Sequence, residues 1–212
     1  MTSCDEMSPA ALEIANSCKG FLDPDEGSRL FALARDHASL GPVIEVGSYC
    51  GKSAIYLGSG TRAAGGTLVC VDHHRGNEEN QRGELYHDPD VFDADAGVMD
   101  TLPFLRDAIR RANLEDVAIV LVAKSARAAA LLLNVRPGMV FIDGGHTQMA
   151  ADTDYESWAP KVERGGILAI HDLFPDPNEG GQAPINIYRR ALASGDFDEL
   201  PTTKTLGVLR RN

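Results

Sequence analysis

The chain has 212 residues, of which 43% are hydrophobic, and a formal net charge of −11. This length is sufficient for one substantial hydrophobic core, and the acidity disfavours a nucleic-acid partner because like charges repel. No apolar run approaches the roughly 20 residues that cross a membrane, and the N-terminal sequence MTSCDE lacks the regions of a signal peptide, so we expect a soluble, cytoplasmic protein without a membrane partner.

The N-terminal part of the chain is predicted to be helical, over residues 8–18 and 24–37. Pro24 followed by two acidic residues is typical of a helix start. Short runs of β-branched and large aliphatic residues come next, as expected of parallel strands that are buried on both faces. These runs predict strands at residues 42–46, 67–71, 117–122, 139–142 and 167–170.

Helical stretches separate the strand runs, and this alternation is typical of an α/β protein. We expect a doubly wound, mostly parallel, seven-stranded Rossmann-like sheet with an antiparallel hairpin at its C-terminal end. Residues 1–39 are predicted to form a helical cap or lid, and residues 40–212 the ligand-binding domain. The helices are predicted at 52–63, 98–112, 125–133, 148–160 and 184–194, and the hairpin strands at 197–200 and 205–209.

Residues 73–97 do not fit a compact connection between two strands, because they are polar and have no helical period. An insertion of this length is more often functional than idle. It is also the acidic part of the chain, since residues 72–100 contain nine Asp or Glu and two Arg. This local charge favours a cation or a cationic ligand at the loop.

The first predicted strand runs directly into a helix through residues 45–53, EVGSYCGKS. Gly47 and Gly51 allow the backbone to approach a ligand closely, and free N–H groups at the helix start favour a carboxylate or phosphate. The second strand ends at Asp72, where a carboxylate is placed to bind a ribose diol. The third strand ends near Ser125, in a position to touch a base or, alternatively, to cap a helix.

Two nucleotide-binding motifs are close to this segment without matching it. The dinucleotide fingerprint has glycines in the spacing GxGxxG, whereas Gly47 and Gly51 are separated by three residues, which disfavours NAD. The P-loop has four residues between its glycines, so residues 47–53 are one residue short of that motif. A nucleotide hydrolase remains an alternative.

Charged residues also follow the fourth and fifth strands, in the sequences FIDGGH and IHD. These strand ends lie at the edge where doubly wound sheets bind ligands. Asp143 and Asp172 are therefore expected to face each other, with His146 and His171 beside them. Two close carboxylates repel unless a cation or a proton lies between them. The alternative is that the acids cap the strand ends and that His146 binds to its own loop.

The pattern E-x-G-x-x-x-G of residues 45–51, followed by Asp72, resembles the cofactor motif of class I S-adenosylmethionine-dependent methyltransferases. The resemblance covers residues 40–212 and implies S-adenosylmethionine as the cofactor. Within this class, the strand ends resemble the metal-dependent branch that methylates small hydroxylated molecules, which includes the catechol, caffeoyl-coenzyme A and macrolide-sugar (macrocin-like) O-methyltransferases. The implied cofactor contacts are Glu45, Gly47, Ser48, Gly51, Ser53, Asp72, His73, Ser125 and Asp143.

The same resemblance implies a divalent metal on Asp143, His171 and Asp172. Members of that branch end the fifth strand with two oxygen ligands, whereas this chain has His171 before Asp172. An imidazole disfavours Mg²⁺ and allows Mn²⁺, Fe²⁺ or Zn²⁺, or a role for His171 other than ligation. The spacing D-x-x-H, as in the sugar-methylating members, implies His146 as the general base.

The inserted loop begins with His73 and His74, directly after the predicted ribose residue. Adjacent side chains in an extended segment point to opposite sides, so at most one of the two faces the site. We predict His74 as the catalytic, substrate-contacting or metal-contacting residue.

We expect methyl transfer to an oxygen of a small hydroxylated acceptor, such as a sugar or a secondary metabolite. The alternatives are an N- or O-methyltransferase that needs no metal, and a non-catalytic protein that binds an adenosyl ligand. The N-terminal helices and the edge hairpin are expected surfaces for a possible homodimer.

Overall fold

The computed structural model describes residues 6–77, 80, 83 and 88–212. Strands and helices alternate along the chain as predicted. The strands are β1 (Val43–Val46), β2 (Leu68–Asp72), β3 (Phe92–Asp93), β4 (Val98–Met99), β5 (Ala118–Val122), β6 (Met139–Ile142), β7 (Ile167–Ile170), β8 (Phe197–Thr203) and β9 (Leu206–Arg211). The helices are α1 (Pro9–Ser17), α2 (Pro24–His37), α3 (Lys52–Ala63), α4 (Leu102–Arg111), α5 (Ser125–Leu131), α6 (Gln148–Trp158) and α7 (Ala183–Ala193).

The main sheet has seven strands in the order β5-β2-β1-β6-β7-β9-β8. Its first five strands are parallel, and β9 pairs antiparallel with both β7 and β8. The expected doubly wound sheet with a C-terminal hairpin is therefore confirmed.

The register of the parallel strands brings their carboxyl ends to one level. Val46 of β1 is the partner of Val71 in β2 and of Ile142 in β6, and Ile142 is in turn the partner of Ile170 in β7. The segments that follow these strands therefore emerge side by side at one edge of the sheet. This is the edge at which α/β sheets bind ligands.

Alternate residues of each strand enter two separate cores. Val43 and Phe141 pack on the face that α1 to α4 cover, whereas Ile44 and Val140 pack on the face of α5 to α7. All four of these side chains are completely buried. Full burial of such a side chain stabilises the folded state by about 1.5–3 kcal/mol. Packing on both faces therefore holds the sheet, and with it the edge at which its strands end, in a fixed position.

The N-terminal helices belong to the first of these cores. Leu30 and Phe31 of α2 are buried in the same cluster as the sheet residues. A Cβ at Gly60 of α3 would lie 2.2 Å from the carbonyl oxygen of Phe31, so the two helix backbones touch. The predicted cap is thus packed into the sheet domain, and its role as a lid stays a prediction.

Two elements differ from the sequence predictions. The helix predicted over 98–112 begins at Leu102, because residues 98–99 instead pair with residues 92–93 as a short hairpin within the insertion. Pro103 in the first turn of α4 is the local indication of this later start. Residues 78, 79, 81, 82 and 84–87 of the insertion lie outside the described residues.

None of the helices that the structure describes combines the length and the hydropathy needed to cross a membrane.

Candidate functional site

A cavity of about 1360 Å³ opens at the carboxyl edge of the sheet. Pockets for one drug-sized ligand have about 300–1,000 Å³, so this cavity has room for a cofactor together with an acceptor. Its walls are the segments after β1, β2, β5, β6 and β7, together with residues 19–23 and the turn between β8 and β9.

The loop after β1 forms the floor of the cavity. Gly47 has a φ of 90° and Gly51 a φ of 95°, a backbone conformation that favours glycine. A Cβ at Gly47 would lie 2.1 Å from the carbonyl oxygen of Asp143, so no larger residue fits there. Ser48 and Ser53 also line the cavity. The predicted loop is therefore held close to the end of β6.

Glu45 lies beneath this loop and is completely buried. One of its carboxylate oxygens accepts a hydrogen bond of 2.6 Å from the hydroxyl of Ser53. Burial penalises the charged form and raises the pKa of Glu45 to about 7, although the hydrogen bonds to its carboxylate oppose this. Glu45 thus supports the loop from behind.

Asp72 links the loop after β1 to the loop after β2. Its carboxylate accepts one hydrogen bond from the N–H of Tyr49, at 2.9 Å, and one from the N–H of His74, at 2.7 Å. Asp72 and His73 both line the cavity. The predicted ribose residue is therefore in the cavity wall with its orientation fixed by two backbone donors.

The structure does not bring the predicted catalytic residue His74 to this wall. His74 has a φ of 58°, which turns the chain inward, and its side chain is buried. Its Nδ1 lies 2.7 Å from the hydroxyl oxygen of Thr101. His73, and not His74, is the histidine of this pair that faces the cavity.

Three of the predicted residues converge at the ends of β6 and β7. Asp143, His146 and Asp172 each offer one ligand atom, and these atoms lie within 4.8 Å of one another. Nε2 of His146 is 3.1 Å from a carboxylate oxygen of Asp172. Asp172 has a φ of 58°, a strained conformation for a residue other than glycine, and such strain is concentrated at functional sites.

His171 lies behind this cluster and is only 4% exposed. Its Nε2 is 2.9 Å from Glu26, and its Nδ1 is 3.3 Å from Asp143 and 3.2 Å from Asp172. Burial lowers the pKa of His171, but the surrounding carboxylates outweigh burial and raise the pKa to about 12. A ring that is protonated on both nitrogens has no lone pair for a metal. The group of converging ligand atoms thus includes His146, whereas the sequence predicts His171 as the histidine ligand.

The sequence predicts Glu26 only as an acid of a helix start, whereas the structure places it in the site. Its carboxylate is 2% exposed and accepts hydrogen bonds from the N–H and the hydroxyl of Thr205, both at 2.8 Å, in addition to contacting His171. Burial opposes its ionisation, but the hydrogen bonds from His171 and Thr205 outweigh burial and lower the pKa of Glu26. Glu26 also completes a capping box with Asp23, and that local role fully explains the sequence pattern.

Ser125 lines the cavity at the start of α5. The alternative that it caps this helix is not what the structure shows, because the N-cap is Lys124. The hydroxyl oxygen of Ser125 instead accepts a hydrogen bond of 2.8 Å from the indole N–H of Trp158.

The strand order, the glycine-framed loop after β1 and the acid at the end of β2 together define a class I methyltransferase domain. Residues 44–173 match a family model described as a methyltransferase domain. This match covers more than half of the chain, which therefore belongs to that methyltransferase family. The prediction from sequence of a class I methyltransferase is confirmed, and the nucleotide-hydrolase alternative is not supported.

Solved structures of methyltransferases share the fold. The O-methyltransferase from Bacillus cereus in complex with SAH is 16% identical, with a TM-score of 0.63, over 97% of this chain and 92% of that chain. The SAH-bound methyltransferase PaMTH1 from Podospora anserina is 15% identical, with a TM-score of 0.65, over 97% and 89%. The O-methyltransferase TomG from Streptomyces achromogenes, in complex with SAM, is 15% identical, with a TM-score of 0.61, over 98% and 92%.

We predict that Glu26→Gln lowers the free energy of unfolding by about 2 kcal/mol, because the buried ring of His171 loses a charged partner. Urea unfolding at neutral pH measures this loss. The control is Asp25→Asn in the same turn, whose side chain is 73% exposed and pairs with Lys204 at 3.3 Å. The control should lose less than about 0.5 kcal/mol, and equal losses in the two variants would contradict the importance of the buried pair.

A second prediction concerns Glu45, whose pKa of about 7 in the folded protein exceeds its ordinary value of 4.5. Between these values the folded chain keeps a proton that the unfolded chain releases, so this group makes the protein less stable as the pH rises toward 7. Glu45→Gln removes the effect. Relative to wild type, the variant should gain on the order of 3 kcal/mol between about pH 5 and pH 8.

Urea unfolding of both proteins across this pH range measures the difference, in which the titration of all other groups cancels. Stability curves that run parallel for the two proteins would show that Glu45 is ionised throughout.

Proposed function

We propose that this protein transfers the methyl group of S-adenosylmethionine to a hydroxyl oxygen of a small acceptor. The observation that carries the proposal is the convergence of Asp143, His146 and Asp172 inside the cavity of a methyltransferase domain. The cofactor is further supported by the SAM and SAH complexes among the structural neighbours.

We infer an order for the parts of the cofactor along the cavity wall. The methionine part would lie over the loop framed by Gly47 and Gly51, the ribose at Asp72, and the base between His73 and Ser125. In this order the reactive sulfonium would face the ends of β6 and β7, where the acceptor would bind. The protein thereby aligns the acceptor oxygen, the methyl carbon and the sulfur for in-line displacement.

His146 is the proposed general base. Its half-exposed ring lies beside Asp172, which fixes the ring by a contact of 3.1 Å. The acceptor hydroxyl gives its proton to the imidazole as its oxygen bonds to the methyl carbon, while the carbon–sulfur bond breaks and S-adenosylhomocysteine leaves. The carboxylate of Asp172 stabilises the imidazolium that forms.

A divalent metal fits the carboxylates of Asp143 and Asp172, because carboxylate oxygens suit Mg²⁺ or Mn²⁺. When bound, it would lower the pKa of the acceptor hydroxyl. His171 is not a suitable ligand, since both of its nitrogens face carboxylates.

A second candidate is methyl transfer without a metal, which one observation favours. The ring of His171 lies 3.2–3.3 Å from the same two carboxylates and supplies a positive charge between them. The cation that two close acids require is then part of the protein itself.

Removal of metal distinguishes the two candidates. The rate of methyl transfer is measured as the release of S-adenosylhomocysteine, with 3,4-dihydroxybenzoate, caffeate and rhamnosides as probe acceptors. Exhaustive EDTA should lower the rate at least about tenfold, with recovery on addition of Mg²⁺ or Mn²⁺. Activity that survives EDTA and does not respond to any divalent ion would establish the metal-free candidate.

His146→Gln tests the base. The turnover rate should fall by about 10²–10⁴-fold, while the affinity for S-adenosylhomocysteine changes less than about threefold. His37→Gln is the matched control, because the ring of His37 contacts the carbonyl oxygen of Leu33 in α2, away from the cavity. A variant at position 146 that keeps its turnover, or that loses Mn²⁺ affinity together with turnover, would remove His146 from the role of base.

A further inference from the structure

One edge of the main sheet is apolar and open. Strand β5 lies at the end of the strand order, and among the strands that the structure describes it pairs with β2 alone. Its sequence, AIVLV, contains no charged residue and no proline. Ile119 and Val122 are 55% and 53% exposed, and the alternation of side chains along a strand places one on each face of the sheet. Edge strands are usually protected by charges, prolines or bulges, and β5 has none of these.

The backbone of β5 directs half of its hydrogen-bonding groups away from the sheet. The carbonyl oxygen of Val117 accepts a hydrogen bond from β2, and the N–H of Ala123 donates one to β2, each at 3.0 Å. The N–H and C=O of one residue point to the same side, and this side alternates along the strand. Val120 and Val122 therefore direct their N–H and C=O groups outward, where another strand can pair with them.

The opposite edge of the sheet is protected in the usual way. Strand β8 carries Asp198, Glu199 and Pro201, and its pairing with β9 is irregular between Leu200 and Thr203. Charges, proline and irregular pairing all disfavour the addition of a further strand. The contrast between the two edges favours β5, and not the hairpin, as a surface for strand pairing.

The charges on either side of β5 indicate which partner fits this edge. Glu115 and Asp116 precede the strand, Lys124 and Arg127 follow it, and all four residues are exposed. Asp116 contacts Arg62. In an antiparallel copy of this segment, the acidic end of one chain lies beside the basic end of the other, and this holds at both ends. Opposite charges then attract twice, so the segment is complementary to itself.

We propose that β5 pairs antiparallel with β5 of a second copy of this chain, so that the two sheets become one across a two-fold axis at Val120. In this register the outward groups of Val120 bond to those of Val120 in the second copy, and the N–H of Val122 donates to the carbonyl oxygen of Ala118. Ile119 lies beside Leu121 of the second copy on one face of the sheet. Both copies use the same surface, as in other dimers with two-fold symmetry.

The proposed interface adjoins the candidate site and goes beyond the proposed reaction. Lys124 and Ser125 come directly after β5 and line the cavity. A strand that is paired on both sides opens less readily than an edge strand. The dimer would therefore hold this part of the cavity wall in place.

Sedimentation equilibrium over a series of protein concentrations tests the pairing. Wild-type protein should reach twice the monomer mass as the concentration rises. Ile119→Lys should raise the dissociation constant of the dimer at least about tenfold, because the interface would bury an unpaired charge. Leu12→Lys is the matched control, since it changes an exposed leucine of α1, and it should leave the dissociation constant unchanged.

Two charge variants test the complementarity of the ends. Glu115→Lys combined with Asp116→Lys makes both ends of β5 basic, and Lys124→Glu combined with Arg127→Glu makes both ends acidic. Each variant alone should associate at least about tenfold more weakly than wild type, because like charges meet at both ends. An equimolar mixture of the two variants should form a heterodimer, since opposite charges then meet again.

The outcomes distinguish this surface from others. Wild-type protein that stays monomeric throughout the series, or a dimer that Ile119→Lys does not weaken, would overturn the pairing through β5. A dimer that dissociates in Leu12→Lys and not in Ile119→Lys would assign the interface to the N-terminal helices. Charge variants that are folded by circular dichroism and still do not associate when mixed would contradict the antiparallel order.

Discussion

The contact between Glu26 and His171 is the interaction on which the arrangement of the site depends. It joins two residues that are 145 positions apart in the sequence, at 2.9 Å and almost without exposure to solvent. Through His171 it holds the acids at the ends of β6 and β7, and through Thr205 it holds the turn between β8 and β9. A buried charge is tolerated only when it is paired and hydrogen-bonded, so each of these groups is needed by the others.

This interaction also gives the N-terminal helices a structural role in the site. Helix α2 contributes a side chain that lines the cavity, and its backbone packs directly on α3. The N-terminal segment is therefore a structural part of the candidate site.

The backbone around Asp172 is strained, and strain of this kind persists only where the surrounding structure fixes it. The amide of Leu173, which donates to the carbonyl oxygen of Thr205, supplies one such constraint.

Much of the architecture could be predicted from the sequence because its determinants are local. Continuous apolar runs define buried parallel strands, and glycines with positive φ define the loop after β1. Asp72, Asp143 and Asp172 could be placed together because parallel strands of one sheet share an edge. The location of these three acids at one edge of the sheet follows from the strand order alone.

The remaining features depend on contacts that no local pattern encodes. Glu26 looks like an ordinary capping residue, and its contact with His171 exists only in the folded chain. The choice between His73 and His74 depended on the left-handed backbone at residue 74, which a rule for extended segments does not include. Asp154 lines the cavity but follows no strand, and only the packing of α6 against α5 brings it there.

The two backbone hydrogen bonds to Asp72 have a consequence for the energetics of ligand capture. Each carboxylate oxygen already has one N–H donor, so the side chain does not have to give up rotational freedom when a ligand binds to it. The unfavourable free energy of ordering this side chain therefore arises during folding and not during binding, which is the basis of preorganisation. The two loops that donate these bonds are linked through the same carboxylate, which fixes their positions relative to each other.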